Sequence, residues 1–300
     1  MATQKRALIT GVNGFTGQYV ADELKHARYD VYGTGAIASD LPQYFQVDLL
    51  DKIGLAHVVR EVQPTVVVHL AAIAFVGHGS ANDFYQVNVI GTRNLLESLA
   101  LHSRGLEAVL LASSANIYGN STEGVLAENT QSNPANDYAV SKLAMEYMAK
   151  LWLDKLPLFF VRPFNYTGIG QSEDFLLPKI VAHFKRKAPF IELGNLDVWR
   201  DFSDVRLVAE VYRRLLEVKP LGQAVNICSG NTYALREVIA LAERITAHKM
   251  EVRVNPAFVR ANEVKSLCGD VTRLCSLIGE IKSPSLEDTL RWMLESPGVD

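Results

Sequence analysis

Residues 6–17 read RALITGVNGFTG, a short apolar run that leads into a glycine-rich turn. The apolar run predicts a buried strand, and Tyr19, Val20 and Leu24 have the spacing of a helix that begins after the turn. Glycines between a strand and a helix permit a tight turn and let the main chain approach a pyrophosphate, whose charge meets the free N–H groups of the helix. The sequence therefore predicts a dinucleotide site at Gly11, Asn13, Gly14, Phe15, Thr16 and Gly17.

The first half of the chain alternates short β-branched runs with stretches of helical spacing. The predicted strands are residues 6–10, 30–33, 44–47, 65–71, 108–113 and 158–162, and two predicted helices cover 84–101 and 140–151. This alternation is typical of a parallel sheet with helices on both faces. We therefore predict an α/β fold, in which a Rossmann-type doubly wound parallel sheet takes mainly residues 1–163. A smaller C-terminal α/β substrate lobe takes mainly residues 164–300, and some of its segments return to the sheet domain.

The composition excludes several classes of protein. The 300 residues are 48% hydrophobic and carry a net charge of -3, so a sizeable core is expected and a nucleic-acid partner is not. The longest apolar stretch, residues 66–76, is shorter than the ~20 residues of a membrane span, so no membrane partner is expected. The three cysteines lack a disulfide or zinc spacing, and we expect no secretory signal at the N-terminus. We expect a cytoplasmic protein without a metal site.

The end of the second predicted strand lacks the residue that commonly distinguishes NAD from NADP. An acid at this place binds the ribose of NAD and an arginine accommodates the 2′-phosphate of NADP, but residues 32–36 read YGTGA. Without a carboxylate to repel a phosphate, the sequence favours NADP and leaves NAD as the alternative. His69 is expected to be a hydrogen-bonded residue of a strand end. Further cofactor contacts are predicted at Thr34, Asp48, Leu49, Leu70, Ala71 and Ala72.

A tyrosine and a lysine four residues apart, Tyr138 and Lys142, lie on one face of the second predicted helix. A phenol titrates near pH 10, so proton exchange near pH 7 requires its pKa to fall by about 3 units. A cation such as Lys142 close to the phenolate favours that shift. Ser114, at the end of the fifth predicted strand, supplies a hydroxyl for a carbonyl oxygen that gains charge as a hydride arrives. We predict that these three residues are catalytic and that Tyr138 and Lys142 also contact the cofactor, with Lys142 at the nicotinamide ribose.

The order of these motifs resembles the extended short-chain dehydrogenase/reductase family that acts on nucleotide-sugars. The resemblance covers nearly the whole chain and continues in residues 88–94, NVIGTRN, and 162–168, RPFNYTG, and in the segments around Arg200 and Arg260. It is nearest to the branch of GDP-mannose 4,6-dehydratases and GDP-6-deoxy-4-keto-D-mannose reductases. It implies a nucleotide-diphosphate sugar as partner, a homodimer built on the two predicted helices, and cofactor contacts at Asn88 and Arg162. The implied substrate contacts are Ser114, Asn116, Asn165, Lys179, Arg200, Arg260 and Glu263.

The chain departs from the dehydratase pattern directly after Ser114. Enzymes of that type place acidic side chains there to remove a C5 proton and expel the C6 hydroxyl, whereas this chain has Ala115 and Asn116. Neither side chain is a general acid or base. The sequence therefore favours a reductase that uses NADPH or NADH on the C4 ketone of a nucleotide-linked 4-keto-6-deoxy sugar, with GDP-4-keto-6-deoxy-D-mannose going to GDP-D-rhamnose as the first hypothesis.

Three other functions stay open at this point. A nucleotide-sugar 4-epimerase needs only the Ser, Tyr and Lys set and a tightly bound NAD, and a GDP-mannose 4,6-dehydratase is the less favoured second enzyme alternative. A binding protein that senses NAD(P) is the non-enzyme alternative. The intact Tyr138 and Lys142 pair argues against the sensor, since such proteins tend to lack it.

Overall fold

The computed structural model describes residues 5–74, 80–119, 124–258 and 265–297. The strands are β1 Arg6–Thr10, β2 Asp30–Gly35, β3 Tyr44–Gln46, β4 Val66–His69, β5 Ala108–Ala112, β6 Gly124–Leu126, β7 Leu158–Pro163, β8 Asn165–Thr167, β9 Phe190–Leu193, β10 Trp199–Asp204, β11 Ala224–Ile227, β12 Thr232–Ala234, β13 Glu251–Val254 and β14 Ser266–Gly269. The α-helices are α1 Phe15–His26, α2 Lys52–Val62, α3 Ala81–Tyr85, α4 Thr92–His102, α5 Asp137–Lys150, α6 Leu176–Lys185, α7 Val205–Val218, α8 Leu235–Thr246, α9 Thr272–Ile278 and α10 Leu286–Glu295. Short 3-10 helices lie at Ala115–Tyr118 and Pro256–Phe258, and a π-helix at Gln86–Gly91.

The large sheet is doubly wound, as predicted. Within the described residues it has seven strands in the order β3-β2-β1-β4-β5-β7-β11, and neighbouring strands pair in parallel. The strand order reverses at β1, because β2 and β3 lie on one side of it and β4 and the later strands lie on the other. A crevice therefore forms at the carboxyl ends of β1 and β4. The six predicted strands are confirmed to within two residues at each end.

Helices cover both faces of this sheet. One face packs against α1, α7 and α9, where Val20, Leu24 and Tyr212 are buried. The other packs against α2, α4 and α5, where Leu55 and Leu99 are buried. Truncation of a fully buried leucine such as Leu99 to alanine costs about 2–5 kcal/mol, because the cavity does not close.

The helix predicted over residues 84–101 is interrupted in the structure. It is divided into α3, the π-helix and α4. Asn88 lies inside the π-helix, and its side chain bonds to the main chain of Ile73 in the loop after β4. A π-turn adds one residue per turn and so changes the direction of the side chains around it. The spacing of the apolar residues predicts a continuous helix, because it carries no information on the hydrogen bonds between the Asn88 side chain and Ile73.

Most elements after β7 form a second unit, which we call the C-terminal lobe. Its core lies between α6, α8 and α10 and the strands β9 and β10. Strand β10 pairs with β8, β12 and β14, and β9 pairs with β13. Three segments of this half, β11, α7 and α9, return to the large sheet and its core. Among the described helices, none has both the length and the apolar character that crossing a membrane requires.

Candidate active site

The glycine-rich turn is held against the carboxyl ends of its neighbouring strands. The Gly11 and Val12 amides donate to the Thr34 carbonyl oxygen at 2.8 and 3.3 Å. Gly11 has a φ of +73°, and a Cβ there would lie 2.9 Å from the Ala71 main chain. At Gly17 a Cβ would lie 2.4 Å from the Gly11 carbonyl oxygen. Two of the three glycines are therefore required by backbone conformation or by space.

The helix that follows the turn presents an uncapped positive end. Gly14 is the N-cap of α1, and within the described part of the chain no side chain caps it and no acid occupies its first turn. The Asn13 Oδ1 atom beside it is buried and has no hydrogen-bond partner among the described residues. Free N–H groups and the positive end of the helix dipole stabilise an anion. The turn therefore fits the pyrophosphate of a dinucleotide, with Gly14, Phe15 and Thr16 as the residues that would hold it.

A buried hydrogen-bond chain connects the strand ends beneath this crevice. The Thr92 hydroxyl donates to the Asn88 carbonyl oxygen at 2.7 Å, and the His69 Nε2 lies 2.8 Å from the Thr92 oxygen. Since the Thr92 proton is already used, Nε2 carries the histidine proton, and the Thr10 hydroxyl donates to Nδ1 at 2.7 Å. Burial lowers the pKa of His69 to about 3. The prediction of a hydrogen-bonded histidine at a strand end is confirmed.

Asn88 links the loop after β4 to the helix that carries Tyr138. Its side chain accepts from the Ile73 amide at 2.9 Å, and it donates to the Ile73 carbonyl at 3.1 Å and to the Ser141 hydroxyl at 3.0 Å. The Ser141 hydroxyl in turn donates to the Tyr138 carbonyl oxygen. Leu70, Ala71 and Ala72 belong to this loop, so the structure brings them to the edge where the glycine turn lies.

The remaining cofactor residues predicted near this edge lie after β3. The Asp48 carboxylate accepts from the Leu50 amide at 2.8 Å, which makes it part of a local turn. Leu49 is buried against Gly91 of the π-helix. A Cβ added at Gly91 would lie 2.7 Å from the Cβ of Leu49. Both residues therefore lie just after β3, at the carboxyl edge of the sheet.

Ser114, Tyr138 and Lys142 come together at the end of β5. Ser114 follows β5 and is the N-cap of the next 3-10 helix. The Asn136 side chain caps α5 by accepting from Ala139 at 2.9 Å, which places Tyr138 in the first turn and Lys142 one turn later. Their exposed fractions are 5%, 7% and 5%. The predicted catalytic set is thus a buried cluster at the carboxyl edge of the sheet.

The pKa of Tyr138 in this cluster is raised, whereas the sequence predicted that Lys142 lowers it. Burial raises the pKa of Tyr138 to about 12, opposed by a hydrogen bond with Ser114. Burial lowers the pKa of Lys142 to about 8, opposed by the charge of Glu146. The physical reason is that desolvation outweighs the attraction between charges at these sites. At neutral pH Tyr138 is therefore a neutral phenol with a proton to donate, and Lys142 is charged.

Asn116 turns towards Ser114. Its amide N–H and its side-chain Nδ2 both donate to the Ser114 hydroxyl, at 3.1 and 3.2 Å. These two donors occupy the Ser114 oxygen, so the hydrogen bond between Ser114 and Tyr138 uses the Ser114 proton. Asn116 therefore orients Ser114.

The side chain of Arg162, predicted as a cofactor contact, is held by partners inside the protein. The guanidinium makes a bidentate pair with Glu146 at 2.9 and 2.7 Å and also donates to the Tyr118 hydroxyl and the Glu128 carbonyl. The pair is buried, with 8% and 1% of the side chains exposed. The pairing has a simple cause, since a buried guanidinium requires a carboxylate, and α5 supplies one. Arg162 therefore joins β7 to the helix that carries Tyr138 and Lys142.

The structure brings together two of the predicted substrate residues. Asn165 on β8 is paired opposite Phe202 on β10, two residues beyond Arg200. Lys179 lies apart on α6, where it donates to the Glu192 carbonyl at 3.0 Å and lies 4.7 Å above the Phe258 ring. Arg260 and Glu263 lie outside the described residues.

Sequence reasoning missed a residue between the glycine turn and the C-terminal lobe. The Tyr166 hydroxyl lies 2.7 Å from the Thr16 hydroxyl, although the two residues are 150 positions apart. The Tyr166 ring stacks on Phe15, with ring centroids 6.0 Å apart. Tyr166 stands inside the RPFNYTG segment, but nothing in the local pattern identifies its partner.

The parallel sheet, the glycine turn and the Ser, Tyr and Lys cluster define the chain as an extended short-chain dehydrogenase/reductase. The family model described as GDP-mannose 4,6 dehydratase matches residues 8–293. The chain belongs to this family.

Two characterised relatives are similar over nearly the whole chain. The GDP-6-deoxy-D-talose 4-dehydrogenase of Aggregatibacter actinomycetemcomitans is 34% identical, over 91% of each chain. The GDP-6-deoxy-D-mannose reductase of Pseudomonas aeruginosa is 32% identical, over 97% of this chain and 96% of the relative. Both belong to the branch of the family that the sequence resembles.

Two solved structures show the same fold. A protein of Burkholderia cenocepacia J2315, provisionally assigned as an epimerase, is 51% identical with a TM-score of 0.92 and covers 97% of each chain. The structure of RMD from Pseudomonas aeruginosa complexed with NADPH is 30% identical with a TM-score of 0.86, over 97% of this chain and 96% of that one.

Proposed function

We propose that this protein reduces the C4 ketone of a nucleotide-linked 4-keto-6-deoxy sugar with NADPH or NADH. GDP-4-keto-6-deoxy-D-mannose is the proposed substrate and GDP-D-rhamnose the proposed product. The names of the two characterised relatives share a GDP-linked 6-deoxyhexose and a redox step, and the RMD structure contains NADPH. These similarities support the substrate class and the cofactor.

The buried Tyr138 beside Ser114, with Ala115 and Asn116 at the two positions after Ser114, is the observation on which this proposal depends. A bound NAD(P)H supplies the hydride. Ser114 donates a hydrogen bond to the ketone oxygen but keeps its proton, and Tyr138 transfers its phenolic proton to that oxygen as charge develops. The charged Lys142 stabilises the phenolate that remains. Ala115 and Asn116 offer no group for removal of a C5 proton, which favours reduction over dehydration.

The second candidate is a nucleotide-sugar 4-epimerase. It is favoured by the 51% identity with the Burkholderia structure, which is provisionally assigned to that activity. An epimerase returns the hydride to its substrate and therefore consumes no net reductant. The two candidates differ in whether NAD(P)H disappears.

One assay separates these candidates. The purified protein is incubated with GDP-4-keto-6-deoxy-D-mannose and NADPH or NADH, absorbance at 340 nm is followed, and the product sugar is identified by NMR as GDP-D-rhamnose or its C4 epimer. The dTDP-, UDP- and CDP-linked ketosugars serve as controls for the base. Stoichiometric loss of NAD(P)H supports the reductase. Conversion of GDP-D-rhamnose to its C4 epimer without added cofactor contradicts the reductase and supports the epimerase.

We further propose a cytoplasmic homodimer that packs through α5 and its neighbours. Val140, Tyr147 and Leu151 follow one face of α5, and Tyr147 and Leu151 are 63% and 80% exposed. Apolar side chains on one exposed face are typical of an interface. Cys228, Cys268 and Cys275 are free thiols, which suits a reducing compartment. Analytical ultracentrifugation of the protein and of its Leu151→Asp variant tests the dimer.

The other substrate contacts remain proposals. Asn165 and Arg200 would hold the diphosphate, since an arginine fork matches phosphate geometry and the two residues lie on paired strands. Lys179, Arg260 and Glu263 are proposed for the same nucleotide. Lys179 is supported by its contact with Phe258, which directly precedes the segment that contains the other two.

A further inference from the structure

The hydroxyls of Thr16 and Tyr166 join the glycine-rich turn to the C-terminal lobe. They lie 2.7 Å apart, and the Phe15 ring stacks on the Tyr166 ring with an interplanar angle of 12°. Tyr166 is on β8, next to Asn165, and β8 pairs in parallel with β10, which carries Arg200. One hydrogen bond therefore connects the proposed pyrophosphate turn with the two strands that carry proposed diphosphate contacts.

The geometry of the two hydroxyls allows an ordered chain of donors. If Tyr166 donates to the Thr16 oxygen, the Thr16 proton is available to an acceptor at the start of α1. A phosphate oxygen at this helix end is such an acceptor. Hydrogen bonds in series polarise one another, so an anion at the turn strengthens the bond between Thr16 and Tyr166.

A second contact joins α1 to the C-terminal lobe without involving the glycine-rich turn. The Tyr19 hydroxyl donates to the Ile169 carbonyl at 2.8 Å, and its ring meets the edges of Phe15 and Trp292. Tyr19 lies one turn further along the helix and points to the lobe without a hydroxyl partner at the turn. Because its hydroxyl bonds to the lobe and not to the turn, Tyr19 provides a matched comparison for Tyr166.

Tyr166 is also close to the catalytic cluster. The negative charge that Tyr166 would carry as a phenolate is one of the influences that raise the pKa of Tyr138, after burial. Burial raises the pKa of Tyr166 itself, opposed by its bond with Thr16. Tyr166 is therefore a neutral phenol at physiological pH, as a hydrogen-bond donor to Thr16 must be.

We propose that Tyr166 is a positioning residue that couples cofactor binding to nucleotide-sugar binding through Thr16. This inference rests on the proposed function, because it requires a dinucleotide at the glycine turn and a diphosphate at Asn165 and Arg200. Binding of the cofactor orders the bond between Thr16 and Tyr166, and this bond orders β8 and β10. Coupling between two ligands is reciprocal, so each ligand increases the affinity for the other. A single hydrogen bond makes this factor about 2- to 12-fold.

Calorimetry tests the coupling without any turnover. The dissociation constant of GDP is measured with and without saturating NADP⁺ for the wild type and for Tyr166→Phe, Thr16→Val, Thr16→Ser and Tyr19→Phe. We expect NADP⁺ to tighten GDP binding by about 2- to 12-fold in the wild type, in Thr16→Ser, which keeps the hydroxyl, and in Tyr19→Phe. The factor should fall to about 1 in Tyr166→Phe and in Thr16→Val, and a double variant that combines these two substitutions should show no further loss.

The outcomes separate this inference from the proposed function. If the wild type binds GDP and NADP⁺ without coupling, or if Tyr166→Phe keeps the full factor, the coupling role is wrong and the proposed function stands. If Tyr19→Phe abolishes the factor as completely as Tyr166→Phe, the coupling belongs to the lobe contact in general and the assignment to Tyr166 is wrong. If the wild type binds neither NADP⁺ nor NAD⁺, the proposed function is overturned and this inference with it. Melting temperatures of the variants show that each is folded.

Discussion

The Lys142 ammonium donates to the Ala112 carbonyl oxygen at 2.8 Å, so helix α5 is joined to the last residue of β5. Ser114 follows two residues after Ala112, and Tyr138 lies one turn before Lys142. This contact therefore fixes the relative positions of the proposed catalytic groups. Lys142 is thus both a charge in the site and a connection between the two elements that form it.

Replacing Tyr138 with phenylalanine should lower kcat by about 10²- to 10⁴-fold, because the proton donor is lost while the ring stays in place. The affinity for NADPH should change less than twofold. Steady-state rates and a fluorescence titration of NADPH check these two expectations. A kcat within fivefold of the wild type would contradict the role of Tyr138 as proton donor.

The reductase rate should decline as the pH rises above about 8. Burial lowers the pKa of Lys142 to about 8, so its charge is present below that pH and lost above it. Tyr138, with its pKa raised to about 12, stays protonated over this range. The measurement is kcat/KM from pH 6 to 10, with Lys142→Arg as the variant that keeps its charge. A wild-type profile that is level through pH 9.5 would show that the charge of Lys142 is not needed.

His69 should make the folded protein less stable in acid. The unfolded chain takes up this proton near pH 6.5, whereas burial lowers the folded pKa to about 3. The contribution of His69 is therefore complete above pH 6.5 and decreases by about 1.4 kcal/mol per pH unit as the pH falls towards 3. Urea unfolding at pH 7 and 4.5 should show a smaller pH dependence for His69→Gln than for the wild type. The exposed His26→Gln is the control, and an unchanged slope in His69→Gln would refute this account.

Glu146→Gln should destabilise the fold by about 3–5 kcal/mol, because it leaves the buried Arg162 charge without its carboxylate. The pair Arg186 and Glu173 is 55% exposed on both sides, so Glu173→Gln should cost about 0–1 kcal/mol. Urea unfolding of both variants measures the difference. Because the structure gives the Arg162 guanidinium an internal role, NADPH affinity of the folded Glu146→Gln protein should stay within about threefold of the wild type. Equal effects of the two variants on stability would contradict the assignment.

The sequence by itself determined the features that depend on neighbouring residues. The glycine turn, the six predicted strands and the spacing of Tyr138 and Lys142 are local patterns, since strand and helix periodicity are set by the next few side chains. The place of Ser114 followed as well, because the carboxyl ends of parallel strands meet at one edge.

Only the tertiary structure decided which polar groups are partners. Arg162 is 16 residues from Glu146 and Thr16 is 150 residues from Tyr166, and in each case the packing of separate elements chose the contact. The π-helix at Asn88 and the raised pKa of Tyr138 have the same origin. A buried polar group must find a partner wherever the fold places one, and desolvation depends on everything packed around it. Neither the partner of a buried polar group nor its desolvation is encoded in the residues next to that group in the chain.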